Sequence, residues 1–307
     1  MRRQRRQVPW ARRMRRWATV LLTVGALGLV VPDGGPHPVD GVLVAVDSGS
    51  GVDTTPGVTW ILALGSDARP GEPVLRSRSD AIHLVGFNPS TGSATIIGIP
   101  RDSYVDIPGH GRDKINAAMV YGGPQLTAEA VAGLVGIRPD YVFTTSFWGF
   151  SRMVWILGGV DVYSPDAFSE KLATIHRGYN KLGPVESLVF VRERHQLPNG
   201  DFDRSRNQGQ FMVDGLRRTL RVTQDPGGLE QLLWTFSQQT QVDIGPVALY
   251  RLGRAVLQVD PAKVVNCVLR GSTGLVGSAS VVFPDVAQAR SLGRQAAQDA
   301  TLRHGCG

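Results

Sequence analysis

The chain has 307 residues, a net charge of +7, a sequence pI near 9.8 and only two cysteines. Eight of its arginines fall within residues 1–16, which hold no acid, and removing those eight from +7 leaves −1 for the other 291 residues. The basicity is therefore a tail and not a face, which argues against a nucleic-acid-binding surface on the remainder.

Directly after that tail comes an apolar run over 17–31. Arginines flanking one side of such a run stay on the cytoplasmic side and meet anionic headgroups. Fifteen residues are fewer than the ~20 that span a bilayer, and the h-region of a signal peptide is as short. No Ala-x-Ala cleavage site follows, so the expectation is a cytoplasmic tail at 1–16 and a single transmembrane helix at 17–32, with the rest of the chain outside. Residues 33–57 carry six glycines and three prolines and predict a linker. A domain at 58–305 follows, without internal repeats.

Within that domain, 58–64 is a continuous apolar run ending in Gly65-Ser66-Asp67, as a buried strand feeding a functional loop would be. Segments 81–87 and 93–99 are strands joined by the turn Asn88-Pro89-Ser90-Thr91-Gly92. Further short strands are expected at 141–145 and 161–163. Helical spacing occurs over 126–134, with Thr127 at its start, and over 149–157, 185–191, 204–220, 229–238, 247–257 and 286–302. Strands interleaved with helices predict an α/β fold, an α/β/α sandwich; the hairpin at Asn88 makes its central sheet mixed. Cys267 and Cys306 either pair across the C-terminal region or remain separate thiols.

The candidate chemistry lies at strand ends. Asp67 and Arg69 follow the first strand, Arg78 and Asp80 precede the second, and Arg101 and Asp102 follow the third. A hairpin of the second and third strands makes Asp80 and Arg101 neighbours, and a first strand parallel to the third brings Asp67 to the same edge. Arg192 and Arg194 point the same way if extended, and Arg204 and Gln208 share one helix face. Carboxylates hold a hard cation through oxygen, and arginine forks grip phosphate oxygens, so this mixture suits a metal-bound phosphate ester. The segment Phe147–Leu157 is apolar enough to line a lipid tunnel or simply to pack a core.

These residues fall within Gly65-Ser66-Asp67-x-Arg69, Arg78-Ser79-Asp80-x-Ile82, Ile97-x-Ile99-Pro100-Arg101-Asp102, Lys114-Ile115-Asn116-Ala117-Ala118, Tyr121-Gly122-Gly123-Pro124, Leu157-Gly158-Gly159-Val160-Asp161-Val162, Val191-Arg192-Glu193-Arg194 and Asp203-Arg204. In that order the motifs resemble the LytR–CpsA–Psr family. The resemblance implies an α/β/α catalytic domain outside the membrane. It implies transfer of a phosphoglycopolymer from a polyprenyl-pyrophosphate carrier to a sugar hydroxyl of peptidoglycan, leaving a phosphodiester. It also implies Mg2+ on Asp67 and Asp80, and pyrophosphate contacts from Arg78, Arg101, Arg192, Arg194, Arg204 and Gln208. Asp102, beside Arg101, is the candidate base for the attacking hydroxyl, with Asp67 as the other possibility. A pyrophosphatase on the same lipid and a non-enzymatic polymer-binding regulator are the competing readings. Arginine outnumbers lysine 29 to 4, a bias of GC-rich genomes that makes arabinogalactan one candidate cargo. One departure concerns Asn207-Gln208-Gly209, where relatives often have an arginine and two glutamines; glycine inside a helix costs about 1 kcal/mol.

Overall fold

The computed structural model describes residues 40–47, 57–69 and 71–306. The expected tail and anchor lie outside those residues, and among the described residues no helix is long and apolar enough to cross a membrane.

Seven strands form the central sheet: β1 (Gly41–Ala45), β2 (Thr59–Ser66), β3 (Ser79–Asn88), β4 (Ser93–Gly98), β7 (Tyr141–Ser146), β12 (Thr240–Val242) and β13 (Val264–Val268), in the order β12-β1-β7-β2-β3-β4-β13. β3 runs antiparallel to both β2 and β4, so β2 and β4 run parallel, as the strand-end argument required. β7 pairs parallel with β2 and antiparallel with β1, which makes the sheet mixed. β1 corrects the linker reading of 33–57. Its run Gly-Val-Leu-Val-Ala pairs on both sides, and Val42 and Leu43 are buried. Glycine and proline around a five-residue strand diluted its signal.

Each sheet face has its own helical layer. Trp60, Leu62, Leu64, Ile82, Leu84 and Ile97 pack against α1 (Ala118–Val135) and the C-terminal helix α7 (Val286–Ala296). The opposite face meets α4 (Asp201–Val222), α5 (Gly228–Gln239) and α6 (Pro246–Val256) through Leu43, Phe87, Tyr141, Leu216, Phe236 and Leu252. Alternation along β2 and β3 divides the residues between these two cores.

A third, smaller core at one end joins α2 (Phe147–Ile156), α3 (Pro184–Arg192) and α4 to two hairpins. Those hairpins are β8 (Val160–Ser164) with β11 (Gly178–Leu182) and β9 (Phe168–Glu170) with β10 (Ala173–Ile175). Two more hairpins follow β4 and β13: β5 (Tyr104–Ile107) with β6 (Gly111–Lys114), and β14 (Gly271–Val276) with β15 (Ala279–Pro284).

Thr127 does not begin a helix. α1 starts nine residues earlier and kinks at Gly123, whose φ of 69° and ψ of −155° break the helix before Pro124. The Thr127 hydroxyl donates back to the Gly123 carbonyl, 2.9 Å away, and so tidies the kink. α7 is also shorter than the spacing over 286–302 implied; the chain leaves it after Ala296, and Ala300 takes a φ of 56°. Cys267 on β13 and Cys306 form a disulfide with Cα atoms 5.4 Å apart.

Candidate active site

The sheet's α4–α6 face is not fully filled. Between Ile61, Ala63, Ala81, Val85 and Ile96 below and α2, α3, α4 and α6 above lies a cavity of about 660 Å3. Ala63, Gly65, Ala81 and Ala94 on the strands leave room among their larger neighbours beneath the helices. Its interior is apolar: Phe147, Phe150, Met153, Val154 and Leu157 of α2 line it with Phe211, Met212 and Leu216 of α4. Of the aromatic run expected there, Trp148 and Trp155 instead face outward, 66% and 71% exposed.

The charged mouth is where the strand ends converge. A bulge at Gly65/Ser66 ends the β2–β3 ladder and pairs Ser66 with Ser79, which sets Asp67 beside Asp80. The Asp67 N–H donates to the Arg78 carbonyl at 3.0 Å. Burial first, and then the neighbouring Asp80 charge, raises the Asp67 carboxyl above its ordinary range, against a hydrogen bond from the Arg78 backbone N–H and the Arg78 and Arg101 charges. Asp80 forms an ion pair with Arg101 across the hairpin, and both line the cavity.

Arg101 is the hub. Burial alone would lower its pKa, but Asp80 by charge and hydrogen bond, then Asp102 and Asp201, reverse the shift and raise it. Its Nε is buried with no hydrogen-bond acceptor, 3.8 Å from Asp102 Oδ2. A buried, unsatisfied guanidinium N–H is a donor awaiting an anion.

Three more arginines complete the mouth. Arg204, on the first turn of α4, is 6% exposed and ion-paired with Asp201. Burial lowers its pKa, and the charges of Arg101 and Arg194 lower it further against the pull of Asp201 and Asp80. Arg192 closes α3 with its guanidinium 4.5 Å from the Phe147 ring centroid, a cation–π contact that fixes it over the cavity. Arg194, just past the helix end, also lines the cavity. Gln208, one turn along α4 from Arg204, donates from Nε2 to the Val191 carbonyl at 2.9 Å, so it braces the segment that carries Arg192.

The sequence-derived residues thus fall into two groups. Asp80, Arg101, Arg192, Arg194, Arg204 and Gln208 border one cavity. Asp67 adjoins Asp80, and Arg78 is exposed at the outer rim beside Asp67 and Asp113. Asp102 does not line the cavity; its Oδ1 lies 2.9 Å from Lys114 Nζ. Its other oxygen, Oδ2, lies 3.8 Å from Arg101 Nε, so it sits between the two cations.

Sequence reasoning missed a carboxylate pair beside the mouth. Glu193 is 3% exposed, and burial works against its charge. The N–H groups of Gln196, His195 and Arg194 and the Glu170 carboxyl outweigh burial and keep its pKa low. Glu170, on β9, lines the cavity, and its pKa is raised by burial and then by Glu193, against Arg192 and His195. Only the Arg-Glu-Arg alternation hinted that an acid sat between the two cavity arginines. Among the described residues, no group of three or more His, Cys, Asp or Glu is arranged to hold a metal ion.

The chain is 39% identical over 163 residues to the polyisoprenyl-teichoic acid–peptidoglycan teichoic acid transferase TagT of Bacillus subtilis, covering 50% of this chain and 49% of that protein. It is 35% identical over 199 residues to the probable cell wall biosynthesis protein LcpB of Corynebacterium glutamicum, covering 60% and 46%. The chain spans about half the length of the curated relatives it matches. Its fold superposes on the crystal structure of B. subtilis TagV with a TM-score of 0.68 at 25% identity, covering 78% of this chain and 97% of that one. The LytR_cpsA_psr family pattern matches residues 45–298, a span that contains every side chain of this mouth, and the chain belongs to that family.

Proposed function

We propose that this chain is a membrane-anchored transferase that moves a phosphoglycopolymer from a polyprenyl-pyrophosphate carrier to a sugar hydroxyl of peptidoglycan, outside the cytoplasmic membrane. One observation carries the reading: a single cavity joins an arginine-lined mouth to an apolar interior. That is the shape complement of an amphiphile with a polyanionic head and a hydrocarbon tail. The names of the transferase relatives support the same substrate class.

Asp67 and Asp80 would hold a magnesium ion: the strand register sets them side by side, burial and then the Asp80 charge raise the Asp67 pKa, and both offer carboxylate oxygens. Bound there with substrate phosphates, the ion supplies charge neutralisation at the pyrophosphate. Breaking a phosphoanhydride needs positioning and neutralisation more than covalent help. Arg101, Arg194 and Arg204 crowd one another's charge without a ligand, and an anionic head relieves that repulsion. Arg192, held over Phe147, clamps the same head from α3. Asp102 and Lys114 fix the Arg101 fork. The α2 and α4 side chains hold the prenyl tail and keep water from the leaving phosphate.

The test incubates the full chain with a lipid-pyrophosphate oligosaccharide, Mg2+ and a peptidoglycan oligomer. Mass spectrometry is expected to find a phosphodiester-linked product and free prenyl phosphate. Release of the oligosaccharide phosphate alone assigns a pyrophosphatase, and an unchanged lipid assigns a non-enzymatic binding role.

A further inference from the structure

Helix α2 has an outer face that the transfer reaction does not use. Trp148, Arg152 and Trp155 follow one another at helical spacing along it, and the helix contains no acidic residue. Both indoles are mostly exposed. Beneath the helix lies a second apolar chamber of about 360 Å3, which shares Ile61, Phe143 and Met153 with the larger cavity. Two neighbouring helices bordering it also carry exposed apolar residues, Trp234 on α5 and Val247 on α6.

The chain meets the fold at this same face. Asp40 lines the second chamber, its carbonyl accepts the Ser146 N–H at 3.0 Å, and its carboxylate lies 3.7 Å from Arg152. Only nine peptide steps separate Asp40 from Val31, the end of the apolar run. In any conformation they reach at most about 32 Å. On the anchor reading, on which this step rests, Asp40 is therefore held within that distance of a bilayer.

We propose that the Trp148–Arg152–Trp155 face of α2 rests on the outer leaflet of the lipid bilayer. Indole rings prefer the headgroup level, where one side is apolar and the N–H is wet. Arg152 reaches lipid phosphate from between them. An α2 seated there sets both apolar chambers beside the bilayer from which a lipid-linked substrate must come.

The test uses the full chain in vesicles of phosphatidylcholine and phosphatidylglycerol. No free cysteine exists, so Trp155→Cys, Trp148→Cys and Leu275→Cys each accept one nitroxide label. Leu275 is an equally exposed control on β14, which follows β13 at the sheet edge opposite β12. Electron paramagnetic resonance compares collisions with oxygen, which partitions into lipid, and with a water-soluble nickel complex. The oxygen-to-nickel ratio is expected to be several-fold higher at positions 148 and 155 than at 275. Equal ratios overturn the proposal; if the protein still floats with vesicles, the anchor stands alone. A chain that does not float removes the anchor and the docking together. Spin–spin broadening at 155 that vanishes on dilution with unlabelled protein assigns the face to a second copy, and also overturns it. Unchanged melting curves confirm that the labelled variants are folded.

Discussion

Gly209 sits in the middle of α4, where a better helix former would be expected, and the structure gives the reason. A Cβ built there would lie 2.1 Å from Asn266 Oδ1, 2.6 Å from its Cγ and 2.7 Å from its Nδ2. The whole amide of this β13 residue would have to retreat by more than an ångström. Its Nδ2 currently donates to the Arg206 carbonyl at 3.0 Å, so retreat also breaks a bond to the helix. Gly209→Ala gains about 1 kcal/mol of helix propensity. Against that stand about 1–3 kcal/mol of overpacking and about 1 kcal/mol for the hydrogen bond. The net expectation is a loss of about 1–3 kcal/mol, or roughly 2–6 °C in Tm for a domain of this size. Calorimetry of Gly209→Ala, Asn266→Ala and the double variant measures it. In the Asn266→Ala background the same glycine substitution is expected to stabilise, because the collision is gone and the propensity gain remains. A rise in Tm from Gly209→Ala alone, or a cost that survives Asn266→Ala, would show that the close approach does not select the glycine. The chemistry feels this contact as well, since Arg204 and Gln208 ride on the same helix.

Arg101→Ala removes the hub of the mouth and is expected to lower the phosphodiester-forming rate by about 100–1,000-fold. Arg101→Lys keeps the charge without the fork and is expected to recover less than a tenth of the activity; the rate of product formation checks both. Chelation with EDTA is expected to stop turnover and magnesium to restore it in wild type, with Asp80→Asn failing to respond, read in the same assay. His83 is fully buried and hydrogen-bonds the Ser205 carbonyl through Nε2 at 3.1 Å; burial, with a smaller push from Arg204, lowers its pKa from 6.5 to about 4. The folded state therefore binds fewer protons than the unfolded one between pH 6.5 and 4. Stability is expected to fall across that window by about 3 kcal/mol as pH drops, and urea titrations of wild type and His83→Gln should differ in that slope. Reduction of the Cys267–Cys306 disulfide, which closes a 39-residue separation, is expected to cost about 4 kcal/mol by the chain-entropy estimate, seen as a lower Tm in dithiothreitol.

How far the sequence carried differs from residue to residue. The Asp80–Arg101 contact was derivable because a four-residue turn, 89–92, joins strands 79–88 and 93–98 into a hairpin, and hairpins join distant positions by simple counting. Arg204 and Gln208 followed from helical spacing alone. β1 was hidden because its partners, β7 and β12, lie about 100 and 200 positions away and no local signal announces such pairing. The Asp102–Lys114 pair was missed for a related reason. It depends on the β5–β6 hairpin folding back toward the start of β5, and residues 103–114 are too polar to show a strand period. The Glu170–Glu193 pair joins a three-residue strand to a helix C-terminus, two of the shortest-range signals a chain contains.

The mouth and the interior are consequences of one arrangement. Strands β2 and β4 end side by side with β3 beginning between them, so that edge collects loop carboxylates and Arg101. The same strands carry alanine and other modest side chains on the face below α2 and α4, which leaves the apolar space. α4 then serves both parts: Arg204 at its first turn meets the charged edge, and Phe211 and Leu216 further along roof the cavity. A helix rising 1.5 Å per residue separates these groups by about 10–18 Å. That distance lets one rigid element grip an anionic head and cover the first part of an attached tail. Gln208, halfway along, ties this helix to Val191 and therefore to Arg192 on α3. On the proposed reading, loosening that single hydrogen bond is expected to disturb Arg192 at the mouth while Phe211 and Leu216 stay in place.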